Sequence, residues 1–461
     1  MKLFDSRIGT KRDFTPLGEE VKMYVCGPNL YGPCHVGHAL SFVFFDVLRR
    51  YLEYSGYRVL HVQNFTDIED RIIQEANSQG RVIGDLAEYY IQRFLKEMDQ
   101  LNIQRAHYYP RATENIEHMV KIIETLIDKG YAYEIEGDVY FRVRSFSNYG
   151  QLSGRSLDDM QAGSRIEVDL RKEDPMDFTL WKSSSENEPS WQTNWGKGRP
   201  GWHIECTAMS LGLLGDQLDI HGGGQDVVFP HHENEIAQSE AYTDKSPFVR
   251  FWVHNGLLRS TEKEEEKMTR HVGNFVSCHD VLERHYPDTI RLFLLSSHYR
   301  SPRAYSEEEL IAQERAIERI RIALQPSSAL QQGDFQLETY KQRFNQAMDN
   351  DLNTPEALAV LFDLAREINR QREIDKEVSD AQAVLKELGQ VLGLTFDERV
   401  SRNMIGAEPF IKLLVEIRSE LRETSQYTIA DKIRTDLTGM GVVVEDGSDG
   451  ATWRFKRRED P

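Results

Sequence analysis

The chain has 461 residues, of which 39% are hydrophobic and 28% charged, and its formal net charge is −19. This length predicts several domains, and the composition is typical of a soluble globular protein. No apolar run is long enough to span a bilayer and no secretory signal precedes the first predicted strand, so we expect a cytoplasmic protein with no membrane partner. The acidic charge argues weakly against nucleic-acid binding, although a local basic face would still permit it.

Four cysteines, Cys26, Cys34, Cys206 and Cys278, are too few and too scattered for a disulfide framework. In a reducing compartment each is a buried thiol, a metal ligand or a nucleophile, and a buried thiol is the usual case for any single cysteine. We expect Cys34 to be a small packed residue rather than a ligand.

The first recognisable unit is βαβ. Residues 22–26 have the pattern of a buried strand, a Gly/Pro-rich turn follows, and 41–56 carry apolar residues at helical spacing before ending at Gly56. A second strand is predicted at 58–64. This order predicts a parallel sheet with a right-handed crossover.

Later segments differ in pattern. Residues 138–200 are polar, with short strand-like pieces, and are typical of an insertion. The α/β pattern resumes near residue 201, and 217–242 predict strand, loop and helix. Residues 288–395 are helical almost throughout, including a helix with an Asn/Thr cap and Pro355 in its first turn. A small α+β unit is predicted at 396–461, and the basic cluster near its end is by itself typical of a solvated tail.

The segment His35-Val36-Gly37-His38 lies where a predicted helix follows a strand. Free backbone N–H groups and the helix dipole favour a phosphate there, and two imidazoles three residues apart can donate to its oxygens. Gly37 would let a nucleotide approach the backbone. Alone, this motif is equally consistent with two partly exposed polar residues.

His231 and Glu235, in the sequence HHENE, would lie on one face of a helix. Histidine plus carboxylate at this spacing is half of a zinc site, although a lone pair of this kind is more often a solvated helix face. Cys26 ends the first predicted strand, and Cys206 lies at a predicted strand-to-helix transition. Because the carboxyl ends of strands converge in an α/β sheet, the four side chains could meet as a Cys₂-His-Glu site, which the spacing alone leaves open.

Lys267 and Arg270, three residues apart and close to Gly273, suggest a basic loop able to hold phosphates. By itself this pattern is more often an ordinary charged loop.

Together these segments resemble the class I aminoacyl-tRNA synthetases, and specifically the cysteinyl-tRNA synthetase family. The resemblance runs in family order from residue 23 to 454 and is carried by MYVCGPNLYGPCHVGHA, NFTDIEDRI, PMDFTLWK, GRPGWHIECTAM, DIHGGGQDVVFPHHENEIAQSEA, KMTRHVGNF, FLLSSHYRSP, DNDLNTPEAL and GVVVEDGSDGATWR. HVGH and KMTRH correspond to the family's two signature motifs.

The resemblance implies an α/β fold with a Rossmann-type class I synthetase catalytic domain, a connective insertion, a helical domain and a small α+β anticodon-binding domain. No segment is left for a separate editing domain. The expected bounds are 1–115 for the first catalytic half with HVGH, 116–200 for the insertion, 201–285 for the second catalytic half with the zinc ligands and KMTRH, 286–325 for a stem-contact segment, 326–395 for a helical tRNA-binding bundle and 396–461 for the anticodon-binding domain.

The resemblance also implies the ligands. One Zn²⁺ per chain would be held by Cys26, Cys206, His231 and Glu235, where a soft thiolate binds far better than the hydroxyl of serine. ATP with Mg²⁺, L-cysteine and tRNA(Cys) would be the other partners of a protein expected to be a monomer. His35, His38, Lys267 and Arg270 would act on the phosphates. The remaining substrate or ATP contacts would be Gly27, Asn29, Gly37, Thr66, Trp202, Asp226 and Trp252.

The implied reaction has two steps. Cysteine attacks the α-phosphorus of ATP to give cysteinyl-adenylate and pyrophosphate, and the terminal ribose of tRNA then takes the cysteinyl group.

Several positions depart from the family pattern: Asn29, Gly32, Gln63, Asn255, the KMTRH loop and the acidic segment before it. They leave open a degenerate or specialised paralog. A related cysteine ligase that transfers cysteine to a small amine would have no use for an anticodon module. A zinc hydrolase or deaminase would not need the phosphate turn, and intact ligands argue against a non-catalytic binding protein.

Overall fold

The computed structural model describes residues 1–156, 169–185, 188–259, 276–326, 329, 331–396, 407–440, 442–447 and 450–455. Within these residues the chain divides into two compact units, Met1–Asp397 and Glu398–Pro461. The helices of the first unit are α1 (Val36–Tyr54), α2 (Asp70–Gln79), α3 (Ile83–Gln100), α4 (Ile116–Asp128), α5 (Trp202–Leu214), α6 (Glu233–Thr243), α7 (Cys278–Arg284), α8 (Pro287–Leu295), α9 (Glu307–Ala323), α10 (Leu337–Asp349), α11 (Thr354–Glu373) and α12 (Ser379–Val391).

The strands of the first unit form several sheets. They are β1 (Lys2–Asp5), β2 (Thr10–Asp13), β3 (Glu20–Val25), β4 (Arg58–Gln63), β5 (Ala132–Ile135), β6 (Asp138–Phe141), β7 (Phe178–Ser183), β8 (Trp191–Thr193), β9 (Gly196–Pro200), β10 (Leu218–Gly224), β11 (Val249–Asn255), β12 (Leu258–Arg259), β13 (Arg303–Ala304), β14 (Gln331–Gln332) and β15 (Lys376–Glu377).

The sheet that positions the site is parallel, in the order β11-β10-β3-β4. The predicted βαβ unit is confirmed as β3, α1 and β4. Helix α1 follows one face of the sheet with most of its apolar residues buried, and it ends at Ser55 before Gly56, whose φ is +91°. From β3 the chain adds β4 on one side of the sheet and later adds β10 and β11 on the other side. Ligands bind at such a switch point between β3 and β10 in parallel sheets of this kind.

Close packing of α1 on the sheet explains the glycines of β10. A Cβ at Gly222 would lie 2.2 Å from the ring of Phe45 and 2.7 Å from the carbonyl of Val253. A side chain there would push α1 away from the strand whose end carries Asp226. The glycine run therefore keeps the sheet and helix in contact beside the site.

The insertion is an antiparallel sheet ordered β5-β6-β7-β9-β8, as its short strand-like pieces predict. Its apolar side chains share a core with α4, α5 and α6. Helix α4 packs against α5 and α6, and the strands of the separate sheet begin at Ala132. The expected boundary at residue 116 stays a prediction.

The helical segment after residue 286 matches its pattern, apart from short strand pairs. Asn353 caps α11 by accepting from the backbone N–H of Glu356, with proline in the first turn, as predicted. A buried ion pair between Arg291 and Asp46, with 2.7 Å between Nη2 and Oδ2, joins α8 to α1. The β1–β2 hairpin was not predicted, because its residues show no clear alternation.

The second unit contains α13 (Ala407–Glu423), α14 (Tyr427–Gly439), β16 (Val442–Gly447) and β17 (Gly450–Phe455). The two strands are antiparallel, and its small core includes Ile411, Val415 and Leu437. This matches the predicted α+β unit. In the described part of the chain, no helix combines the length and apolar character needed to cross a membrane.

Candidate active site and metal centre

A cavity of about 420 Å³ opens at the carboxyl ends of the parallel strands. Most of the residues expected to contact substrate or metal line it together, although they come from widely separated segments. They are Cys26, Gly27, Asn29, His35, Gly37, His38, Thr66, Trp202, Cys206, Asp226 and His231.

One wall of the cavity is the N-terminus of α1. His35 is the N-cap, and its Nδ1 accepts from the backbone N–H of His38 at 3.1 Å. A neutral imidazole that accepts at Nδ1 carries its proton at Nε2, so Nε2 is a donor. The two histidine rings stack with centroids 3.6 Å apart. The first turn, which is fully described, contains no acidic residue to offset the positive end of the helix dipole.

Two glycines make possible the close contacts in this wall of the cavity. A Cβ at Gly37 would lie 2.9 Å from Nδ1 of His35, so the folded-back imidazole needs glycine there. A Cβ at Gly27 would lie 1.7 Å from the carbonyl oxygen of Asn64, whose side chain accepts from the Gly27 N–H at 2.9 Å. Gly27 therefore lets the turns after β3 and β4 touch.

Three of the four expected metal ligands, Cys26, His231 and Glu235, meet on the opposite side, and the fourth, Cys206, lies beside Cys26. The sulfurs of Cys26 and Cys206 are 3.9 Å apart, and Oε1 of Glu235 lies 4.0 Å from the Cys26 sulfur and 3.1 Å from Nε2 of His231. Cys206, His231 and Glu235 are buried, whereas Cys26 is partly exposed. Cys206 lies near the start of α5, which follows β9 directly, so the predicted strand-to-helix transition of this segment is confirmed.

Burial shifts the pKa of three of these ligands toward their neutral forms. It raises the pKa of the Cys26 thiol, with a further increase from Cys206, and it raises the pKa of the Glu235 carboxyl. Burial also lowers the pKa of His231, which leaves its imidazole neutral with a lone pair to offer. A buried group of acids beside a neutral imidazole ionises favourably only with a cation among them. The donor set therefore fits a metal ion.

His232, which the sequence pattern did not indicate as a functional residue, also lies at this site. Its Nε2 lies 3.1 Å from the Cys26 sulfur, and its Nδ1 lies 2.8 Å from Nε2 of His254. Cys26, His231, His232 and Glu235 thus form a group with mutually close ligand atoms. Adjacent histidines point in different directions on a regular helix, but His231 and His232 lie in an irregular turn, Val228–His232, which the sequence pattern did not reveal.

The structure also places Trp252 and Thr66, whose substrate contacts remain predictions. Trp252 does not line the described cavity. It lies fully buried in β11, stacked on His221 at 4.6 Å, and so supports the histidines from behind. Thr66 does line the cavity, but its hydroxyl donates to Glu205 at 3.1 Å. Trp202 stacks on His231 at 4.3 Å and also faces the cavity. Lys267 and Arg270 lie outside the described residues.

Comparison with known proteins shows to which family the chain is similar. Residues 14–315 match the model of the tRNA synthetases class I (C) catalytic domain, and residues 343–397 match that of the DALR domain. A protein of Dehalococcoides mccartyi named "Cysteine--tRNA ligase" is 50% identical over 99% of this chain and 100% of its own length. One of the same name from Caldicellulosiruptor saccharolyticus is 46% identical over 98% of each chain.

The chain belongs to the cysteine--tRNA ligase family of class I tRNA synthetases. A solved structure of the Mycobacterium tuberculosis methionyl-tRNA synthetase bound by methionyl-adenylate has the same fold, with a TM-score of 0.60 at 14% identity over 82% of this chain and 89% of that one. The match to full-length members of the cysteine--tRNA ligase family includes the second unit. Two of the departures in sequence, Asn29 and Asn255, line the cavity without replacing a metal ligand or a histidine of HVGH.

Proposed function

We propose that the chain ligates L-cysteine to tRNA(Cys) through cysteinyl-adenylate, using ATP with Mg²⁺. The observation that carries this proposal is one cavity with a helix N-terminus and two histidines on one side and Cys26, Cys206 and His231 on the other, with Glu235 3.1 Å from His231. The first side suits the phosphates of ATP, and the second suits a thiol substrate. The relatives named "Cysteine--tRNA ligase" support the same assignment across the full chain.

Cys26, Cys206, His231 and Glu235 would hold one zinc ion. Bound there, zinc supplies a soft Lewis acid that prefers a thiolate to a hydroxyl, which distinguishes cysteine from the nearly isosteric serine better than shape can. His232, whose second nitrogen faces His254, would donate to the Cys26 thiolate and orient it. Trp202, stacked on His231, would limit water in this part of the cavity.

The phosphate side acts by position and charge. The positive end of the α1 helix dipole would attract the phosphates, and the Nε2–H of His35 would donate to phosphate oxygens, where negative charge accumulates as pyrophosphate leaves. His38, stacked on His35, would do the same. Lys267 and Arg270 would bind the departing pyrophosphate. Catalysis then depends on bringing the cysteine carboxylate in line with the α-phosphorus.

A pair of substitutions at His35 separates its structural role from its catalytic role. Serine can still cap α1, whereas alanine cannot, so only His35→Ala should destabilise the protein, by about 1 kcal/mol. Both variants lose the imidazole donor and should form cysteinyl-adenylate about 100-fold more slowly. Urea unfolding and pyrophosphate exchange measure the two effects. Parental exchange by His35→Ser would mean that His35 is a cap only.

The second unit would read the anticodon, with Tyr427 and Asp431 on its α14. Removing residues 398–461 should lower charging of tRNA(Cys) about 10- to 100-fold, equivalent to about 1.4–2.8 kcal/mol of lost tRNA contact. Cysteine-dependent pyrophosphate exchange should stay close to that of the full chain, because the donor set and α1 belong to the other unit. Unchanged charging by a folded truncated protein would favour transfer to a small amine instead.

A further inference from the structure

A second cluster of potential metal ligands lies beside the start of α1 and outside the cavity's donor set. The sulfurs of Cys34 and Cys278 are 3.5 Å apart, and ligand atoms of Cys34, Cys278 and Glu97 all lie within 4.8 Å of one another. Their exposed fractions are 6%, 2% and 2%. The burial expected of Cys34 is confirmed, but its two neighbours come from α3 and α7.

The backbone sets the approach of the two thiols. His35 and Ser277 form an antiparallel bridge, flanked by hydrogen bonds from the Cys278 N–H to the Cys34 carbonyl at 2.9 Å and from Val36 to Val276 at 3.1 Å. In this register Cys34 lies directly opposite Cys278. Ser277 also caps α7 by accepting from Asp280. The sulfur contact is therefore a consequence of chain pairing rather than of one side-chain rotamer.

Glu97 gives the cluster its third donor. One carboxylate oxygen accepts from Nε of Arg93 at 2.9 Å. The other, Oε2, is buried and accepts no hydrogen bond from any residue that the structure describes. A buried carboxylate oxygen without a partner is costly, so it is a rare feature that needs an explanation.

We propose that Cys34, Cys278 and Glu97 bind a second thiophilic divalent cation of the zinc class. Two thiolates on a tetrahedral zinc are about 3.8 Å apart, since each bond is about 2.3 Å, and the 3.5 Å sulfur separation is close to that value. Binding releases the two thiol protons to solvent. The two thiolates, the carboxylate and Arg93 then balance the charge of the ion. A disulfide is the other outcome for touching thiols, but it leaves the Glu97 oxygen unpaired.

Such a site would join the residue before His35 to the first residue of α7. It would hold the phosphate-binding turn of α1 against the chain that follows the KMTRH motif in sequence. The metal would stabilise the shape of the cavity wall without touching substrate, which separates its role from that of the first donor set.

Zinc content of the full chain, produced in zinc-containing medium, purified without chelator and desalted, tests the proposal. The parent should hold about two zinc ions per chain, and Cys278→Val and Glu97→Gln about one each. Glu97→Gln keeps the side-chain shape in case Cys278→Val folds poorly. Glu88→Gln, on the same helix but paired with Arg111 at the surface, should keep both.

Zinc content distinguishes variants of the first donor set from variants of the cluster of Cys34, Cys278 and Glu97. Cys206→Ala should also lower zinc by about one ion, and the double variant Cys206→Ala/Cys278→Val should hold essentially none. A parent with a single zinc that is unaffected by Cys278→Val and Glu97→Gln would overturn the proposal. So would a Cys34–Cys278 disulfide found by mass spectrometry in the purified parent. If only Cys206→Ala left zinc unchanged, the first site would be wrong and the second would stand.

Discussion

Cys206→Ala is expected to reduce cysteine-dependent adenylate formation by about 1000-fold or more, equivalent to about 4 kcal/mol of transition-state stabilisation. The variant removes one of two sulfurs that lie 3.9 Å apart and leaves Cys26, His231 and Glu235, a set with only one soft thiolate and therefore a much weaker affinity for zinc. Zinc content should fall by about one ion at the same time. Pyrophosphate exchange and elemental analysis of the same preparation measure both effects.

Two comparisons define the role of the lost sulfur. Ser210→Ala, in the same helix but outside the cavity lining, removes a single atom and should leave zinc and activity near those of the parent. His232→Gln should keep the four donors but weaken zinc binding about 10- to 100-fold, because it loses the contact that orients Cys26. A Cys206→Ala protein that activates cysteine like the parent would exclude a metal-dependent thiol pocket.

Lys267→Ala and Arg270→Ala are each expected to slow adenylate formation by about 30- to 1000-fold, which corresponds to about 2–4 kcal/mol for one charge-assisted contact made in the transition state. Arg270 retains positive charge where the family has a second lysine, and its guanidinium can hold phosphate with two hydrogen bonds. The neighbouring carboxylates of Glu264, Glu265 and Glu266 would repel pyrophosphate only if they faced it.

Lys263→Ala is the matched control for this loop, because it removes one positive charge from the same acidic segment but outside the KMTRH motif. It should change the rate of adenylate formation by no more than about threefold, since a charge outside the motif expected to bind pyrophosphate contributes little. Single-turnover formation of the adenylate, measured at saturating ATP, compares the three variants directly. Equal rates in Lys267→Ala, Arg270→Ala and the parent would show that this loop does not act on pyrophosphate.

Much of the fold follows from local pattern. The apolar spacing of 41–56 predicts α1, and the capping sequence at Asn353 predicts the start of α11. Because the carboxyl ends of parallel strands converge, the sequence also suggested that Cys26 and Cys206 could meet, although 180 residues separate them. These rules leave open which side chains form the metal site, and the resemblance to the family decided which ligand set to expect.

The orientations of side chains and the contacts between segments far apart in the chain could not be predicted from the sequence. Trp252 lies in a strand buried on both faces, so alternation gives no sign of which side it faces. His232 reaches Cys26 because of an irregular turn before α6. Cys34 and Cys278 are 244 residues apart, and only the pairing of two short segments brings them together.

The most direct test of the central claim is exchange of labelled pyrophosphate into ATP by the full chain, with cysteine or serine as the amino acid. We expect strong exchange with cysteine and very little with serine, because the donor set of the cavity selects a thiol. Similar rates with the two amino acids would contradict thiol selection. No cysteine-dependent exchange by a folded, zinc-loaded chain would contradict the proposed activity itself and leave a degenerate member of the family.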